Sequence, residues 1–348
     1  PVKVFEQANM TDADWAKYLT WIDERLKPYA GLPVWYKTMN EPDIPRRAVW
    51  TPADHVRIVK HIRETVKKTA PDALILTPDP YHSGFEAQAW LDRFFAAGGK
   101  DVVDALAIHT YRARAEDPDL DGDIQAIKAL KAKYGISKIP TLFTEGEGIP
   151  LYTIDSIGMS PLKGCFLWRL GSLLSLDVGP SEATAAASMV RRLLPAFKNA
   201  DDVKSYLNWG SDFGKQDGQP LAPIAAINNL YSLLGDATFA RELVIGDNVK
   251  TYLFKTPKGS PTAVLWGYDM KMERGEVPAP KASLALPSSG WKILDMMGNP
   301  LEVTRHDGRI QFPLGNQPVY VVGDTISLDD LNLALEKSSV GGGGLKTV

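Results

Sequence analysis

The sequence predicts an α/β protein in which a parallel sheet is covered by helices, followed by a small antiparallel β-sandwich. Apolar runs and amphipathic helical stretches alternate from about residue 11 to residue 235. Those runs are largely apolar rather than strictly alternating, as strands buried on both faces of a parallel sheet are. After about residue 240 the texture changes to short strands divided by Gly, Pro and Asn-Pro turns, the pattern of a sandwich. The expected domains are 1–239 for the α/β part and 240–325 for the sandwich. Residues 326–348 end in "SSVGGGGLKTV", which has no core-forming pattern and is expected to be a flexible tail.

The elements follow in order. Thr11 and Asp14 form a capping-box pattern, and Trp15, Tyr18, Leu19, Ile22 and Leu26 make one apolar stripe, so 11–29 is a helix. Val34, Trp35 and Tyr36 belong to a buried strand over 33–39. Thr51-Pro52 with Asp54 opens a second helix, whose buried face is Val56, Val59, Ile62 and Val66. Strands are expected at 73–79, 102–111, 139–148 and 203–210, and helices near 85–97, 121–134 and 221–235, with a long helical region before residue 203. Val2–Phe5 reads as a remnant of a further strand.

Composition narrows the function. A net charge of −3 over 348 residues leaves no basic footprint, so neither nucleic acid nor an anionic membrane is an expected partner. No apolar run is long enough to span a bilayer. The one cysteine, Cys165, rules out an internal disulfide, argues against a zinc cluster and does not identify a compartment. The histidines are scattered, and no glycine-rich phosphate loop follows a strand, so no metal or other cofactor is expected.

In a parallel β/α barrel, active-site groups project from the C-terminal ends of the strands. Here those ends carry Asn40 and Glu41, Asp79, His109 with Tyr111, Glu145, and Trp209. Two carboxylates at one mouth suit glycoside hydrolysis: one protonates the departing oxygen, and the other attacks the anomeric carbon or activates water. Asn40 can bond a sugar hydroxyl, and His109 and Tyr111 can orient the attacking carboxylate. Trp209 is either a sugar platform or a core residue. Asp79, between Pro78 and Pro80, reads as a turn cap.

"WYKTMNEP", "ALAIHTY", "TLFTEGEG" and "SYLNWG", in that order, resemble strands four, six, seven and eight of clan A glycoside hydrolases. The sandwich, with "VLWGYD" and "PVYVVG", is similar to the C-terminal domain of the β-xylosidase and α-L-iduronidase branch. The resemblance covers roughly residues 12–323. It implies a TIM-type (β/α)8 barrel and a retaining two-glutamate mechanism. Glu41 would be the general acid/base and Glu145 the nucleophile, with Asn40 on the sugar hydroxyl beside the anomeric carbon and His109 and Tyr111 in support. Glu147, two residues on, competes with Glu145 for the nucleophile's role.

The chain starts at Pro1, and counterparts of strands one, two and most of three do not precede the match. The barrel is therefore expected to be N-terminally incomplete, and a second chain or an upstream segment is expected to complete it. The substrate class is carbohydrate, with the sugar, the linkage and exo or endo action left open. A silent carbohydrate-binding scaffold and a transglycosidase are the alternative functions.

Overall fold

The computed structural model describes residues 10–44, 50–111, 115–116, 120–146, 182–206, 222–268 and 281–341. Its first two helices, α1 (Asp12–Leu26) and α2 (Pro52–Lys67), open on the same device. In each, a threonine hydroxyl accepts from the backbone N–H three residues on, while the aspartate there accepts from the threonine N–H. Such reciprocal caps satisfy amides that a helix start leaves unpaired. Pro52 supplies a preset φ where no donor is needed.

Five short strands follow one another in parallel: β1 (Trp35–Tyr36), β2 (Leu74–Ile75), β3 (Leu106–His109), β4 (Thr141–Glu145) and β5 (Val203–Tyr206). β1 pairs with β2, β3 with β4, and β4 with β5. A parallel bridge between Leu76 and Ala105 joins the two groups, and another between Asn40 and Asp79 prolongs the first. Between successive strands lie α2, α3 (Phe85–Ala96) and α4 (Leu120–Lys133). β3 is buried along its whole length, as a central parallel strand should be.

Two local expectations need correction. Val34 and Trp35 are 41% and 51% exposed, and only Tyr36 of that run is buried. Among the described residues β1 pairs with β2 alone, so no second strand flanks these side chains there. The expected strand remnant at Val2–Phe5 lies outside the described residues.

By compactness the chain falls into two units. The first holds the parallel strands with α1 to α4. The second holds α5 (Glu182–Lys198), α6 (Ala222–Leu234) and the whole region from β6 (Thr238–Leu243) onward. That region comprises β7 (Val249–Lys255), β8 (Pro261–Gly267), β9 (Lys281–Leu284), β10 (Trp291–Leu294), β11 (Thr304–His306), β12 (Arg309–Pro313) and β13 (Val319–Gly323). It ends with α7 (Leu328–Glu336) and β14 (Ser339–Gly341). The strands form two antiparallel sheets, β10-β13-β8-β7-β6 and β11-β12-β9-β14. Leu253, Leu265 and Val321 of the first sheet share one core with Leu284, Ile310 and Phe312 of the second.

The expected flexible tail over 326–348 is folded as far as residue 341. Leu328, Leu331 and Leu335 recur at helical spacing, and the last two are fully buried in that core. Ser327 caps the helix by accepting from the Asp330 amide at 3.1 Å, and β14 adds to β9. Leu331→Ala is accordingly expected to cost about 2–5 kcal/mol of unfolding free energy, read by denaturant titration. A change within ±0.5 kcal/mol would mean the helix is a loose appendage. Residues 342–348 lie outside the described residues.

His55, on α2, packs edge-on to Trp50 and Trp90 and is 2% exposed. Among the described residues neither ring nitrogen has a hydrogen-bond partner. Burial pushes its pKa down from 6.5 to about 4. A charged ring there would lose hydration that the nearby Asp54 carboxylate offsets only in part, so the folded state binds fewer protons than the unfolded state between those values. Stability should therefore fall as the pH drops from about 6.5 towards 4, by on the order of 3 kcal/mol, with no His55 contribution above that window. His55→Leu should flatten the stability–pH curve there. An unchanged slope in the variant would refute the assignment.

No helix among the described residues is long and apolar enough to cross a membrane.

Candidate active site

The C-terminal ends of β1 to β4 place their polar residues together, within the first unit. Glu41 follows Asn40, whose backbone bridges to Asp79, and the Glu41 amide donates to the Asp79 carbonyl at 2.9 Å. Glu41 is 6% exposed and sits at φ 51°, one of the few non-glycine residues with positive φ. Pro42 disfavours the right-handed helical region for the residue before it. The left-handed conformation instead turns the chain sharply after the bridge and keeps the carboxylate inside. Glycine accepts this conformation freely and alanine does not, so Glu41→Gly should be more stable than Glu41→Ala by about 1–2 kcal/mol in thermal or chemical unfolding. Equal stabilities would mean the turn relaxes once the carboxylate is gone.

His109, at the end of β3, is fully buried and touches three carboxylates. Its Nδ1 lies 3.2 Å from Glu41 Oε1. Its Nε2 lies 3.0 Å from Asp79 Oδ2 and 3.4 Å from Glu145 Oε1. Glu145 ends β4 with its side chain 13% exposed. The Tyr111 phenol donates to its Oε2 at 2.9 Å, and the Lys37 ammonium donates to its Oε1 at 2.7 Å. Lys37 also pairs with Asp79 Oδ2 at 2.8 Å, and the Thr144 hydroxyl donates to that same oxygen at 2.8 Å. Tyr81 stacks on Tyr111 with ring centroids 5.5 Å apart.

One carboxylate oxygen of Glu41, one of Glu145 and one ring nitrogen of His109 all lie within 4.8 Å of one another. Such a trio could ligate a metal ion. The Lys37 ammonium, however, already lies 2.7 Å from Glu145 Oε1 and 3.3 Å from His109 Nε2, and it would repel a second cation. What the arrangement offers is two carboxylates at short range in unlike surroundings. Glu145 accepts from a phenol and an ammonium and lies 3.4 Å from His109 Nε2, and Glu41 lies 3.2 Å from the other nitrogen of that ring.

The sequence-expected residues Glu41, His109, Tyr111 and Glu145 thus converge. Asn40 lies beside them by its backbone, with its side chain exposed. Trp209 and Glu147 lie outside the described residues. Asp79 is more than a turn cap: it is fully buried and holds Lys37, Thr144 and His109. Its position at a strand end matching that of Glu41 was the available signal. Sequence reasoning passed over Lys37 and gave Thr144 no role in the site beyond marking the strand end before Glu145. A lysine inside a run expected to be a buried strand was the cue for the first.

Comparison with known proteins fits this geometry. Residues 10–146 match the glycosyl hydrolase catalytic core family. That segment carries Glu41, His109, Tyr111 and Glu145, and the match agrees with the glycoside hydrolase resemblance read from the motifs. No curated protein matches the chain. Among solved structures, a family 39 glycoside hydrolase from Bacteroides cellulosilyticus superposes with a TM-score of 0.61 at 17% identity, over 90% of this chain and 62% of that one. A family 51 α-L-arabinofuranosidase, AbfB, from Bifidobacterium longum gives 0.51 at 11% identity, over 82% of this chain and 66% of its own length. At these identities the likeness is one of fold, and the chain spans less than two thirds of either structure.

Proposed function

We propose that the catalytic-core segment is part of a retaining glycoside hydrolase acting on O-glycosidic bonds by double displacement. The observation that carries this is the approach of Glu41 and Glu145 oxygens to within 4.8 Å. Retaining enzymes hold their carboxyls about 5–5.5 Å apart, whereas inverting ones leave roughly 6.5–9.5 Å for a water. Glu145, facing the Lys37 ammonium and the Tyr111 hydroxyl, is suited to act as an anion. It would attack the anomeric carbon while Glu41 gives its proton to the departing oxygen. Water would then attack the glycosyl ester, Glu41 taking the water's proton as the bond to Glu145 breaks. The two glutamates therefore need opposite protonation states at the start of the cycle, which their unlike neighbours favour.

On this reading the parallel strands form part of a (β/α)8 barrel and the two antiparallel sheets a β-sandwich. Asn40 would bond the sugar hydroxyl beside the anomeric carbon. The substrate is a carbohydrate, and nothing in the described groups selects one sugar. The deciding experiment follows the first-formed product by proton NMR during turnover of a panel of aryl glycosides, including xylosides, glucosides, galactosides and uronides. Net retention is the expected result. An inverted product, or no turnover of any panel member by the full chain, would overturn the proposal.

A further inference from the structure

Asp79 is fully buried, so no substrate can touch it, yet its Oδ2 receives three donors. Among the described residues Oδ1 has no partner, so all of the pairing falls on Oδ2. Burying a carboxylate bonded on one side only is costly, and the Lys37 ammonium at 2.8 Å offsets part of that cost.

The surroundings of His109 decide where its hydrogen sits. Nε2 faces Asp79 Oδ2 at 3.0 Å and Glu145 Oε1 at 3.4 Å, both acceptors. A bare lone pair on Nε2 would be repelled by both. The Lys37 ammonium lies 3.3 Å from Nε2, farther than its 2.8 and 2.7 Å contacts to those two carboxylates, which are therefore the stronger acceptors for its hydrogens. In a neutral ring, an Nε2–H that donates to Asp79 leaves the lone pair on Nδ1. Nδ1 points at Glu41 Oε1, 3.2 Å off. A hydrogen bond there requires the proton to be on Glu41.

We infer that Asp79 is a positioning residue for general-acid catalysis: it locks His109 as the Nε2–H tautomer, and the bare Nδ1 lone pair holds the proton on Glu41 that the leaving group takes. This rests on the two-glutamate reading above and adds to it the device that separates the roles of the acids. The ring keeps its Nε2 hydrogen throughout. The proton moves from Glu41 to the leaving oxygen in the first displacement and returns to Glu41 from water in the second. Between those steps the Glu41 carboxylate faces a lone pair, which favours its taking the proton from water.

Two variants and one spectrum test this. In Asp79→Asn the amide oxygen can occupy the Oδ2 position and the NH2 the unpartnered one, so the acceptor for Nε2–H survives. In Asp79→Ala it does not. General-acid assistance is worth about 10²–10⁴-fold, so Asp79→Ala should lose about 10²-fold in kcat/KM with phenyl or alkyl leaving groups, and Asp79→Asn less than about tenfold. With 2,4-dinitrophenyl glycosides, whose departure needs no acid, the loss of kcat/KM in Asp79→Ala should be at least tenfold smaller than with phenyl glycosides.

A uniform loss across leaving groups, or an Asn variant as impaired as Ala, overturns the inference. The nitrogen-15 spectrum of the wild-type imidazoles does not depend on either variant folding. The resonance that disappears in His109→Gln should show a protonated Nε2 and a bare Nδ1. The opposite tautomer or a doubly protonated ring overturns the inference as well. Glu145→Ala run in parallel separates the two proposals. If that variant keeps wild-type turnover, the two-glutamate reading itself fails. If it is inactive while Asp79→Ala shows no leaving-group dependence, only the tautomer device fails.

Discussion

Replacing Glu145 with alanine is expected to lower kcat on aryl glycosides by on the order of 10⁴–10⁶-fold, the range seen when a nucleophile is deleted from an active site whose binding groups remain. The physical reason is local. Glu145 is the carboxylate that the Lys37 ammonium and Tyr111 hydroxyl hold in place, at 2.7 and 2.9 Å, and its removal takes away the group that would form the covalent intermediate. Azide added to the variant should fill the vacated space, restore part of the rate and yield a glycosyl azide of inverted configuration. Full activity in Glu145→Ala, or azide products of retained configuration, would remove Glu145 from the nucleophile's role. Glu147 would then be the group to test.

Glu41→Ala should behave differently. A loss of about 10²–10⁴-fold is expected with poor leaving groups and little loss in the first step with activated ones, because a leaving group that departs as a stable anion needs no proton. Hydrolysis of the glycosyl ester would then become slow, and a burst of released phenol equal to the enzyme concentration should appear. Azide should react with that ester to give a glycosyl azide of retained configuration, the opposite outcome to that for Glu145→Ala. A loss independent of the leaving group would show that Glu41 shapes the site without serving as its acid.

Much of this site was legible in the chain as written. The capping boxes at Thr11 and Thr51 announce two helices, since their reciprocal hydrogen bonds involve residues three apart and require nothing distant. The alternation of apolar runs and helical stripes announces the parallel order, because a strand buried on both faces must be apolar throughout. Placing Glu41, His109 and Glu145 at strand ends follows from that order alone. Local patterns misled where burial depends on distant partners. Val34 and Trp35 look like core yet lie exposed on a strand whose only partner, among the described residues, is β2. The apolar spacing of Leu328, Leu331 and Leu335 was overlooked beside the glycines that follow, and its meaning depends on a core built from strands tens of residues earlier.

The sequence by itself determined which residue types stand at the ends of the parallel strands, and so the class of chemistry they serve. It did so because strand period and helix capping are short-range properties. Only the tertiary structure decided how the charges are shared. Lys37, Asp79 and Glu145 are separated by dozens of residues, yet one ammonium lies within 2.8 Å of both carboxylates. How closely each carboxylate approaches that ammonium and His109 differs by only a few tenths of an ångström. Coulomb and hydrogen-bond energies change steeply over that range in a water-poor site, and no linear pattern of residues encodes such distances.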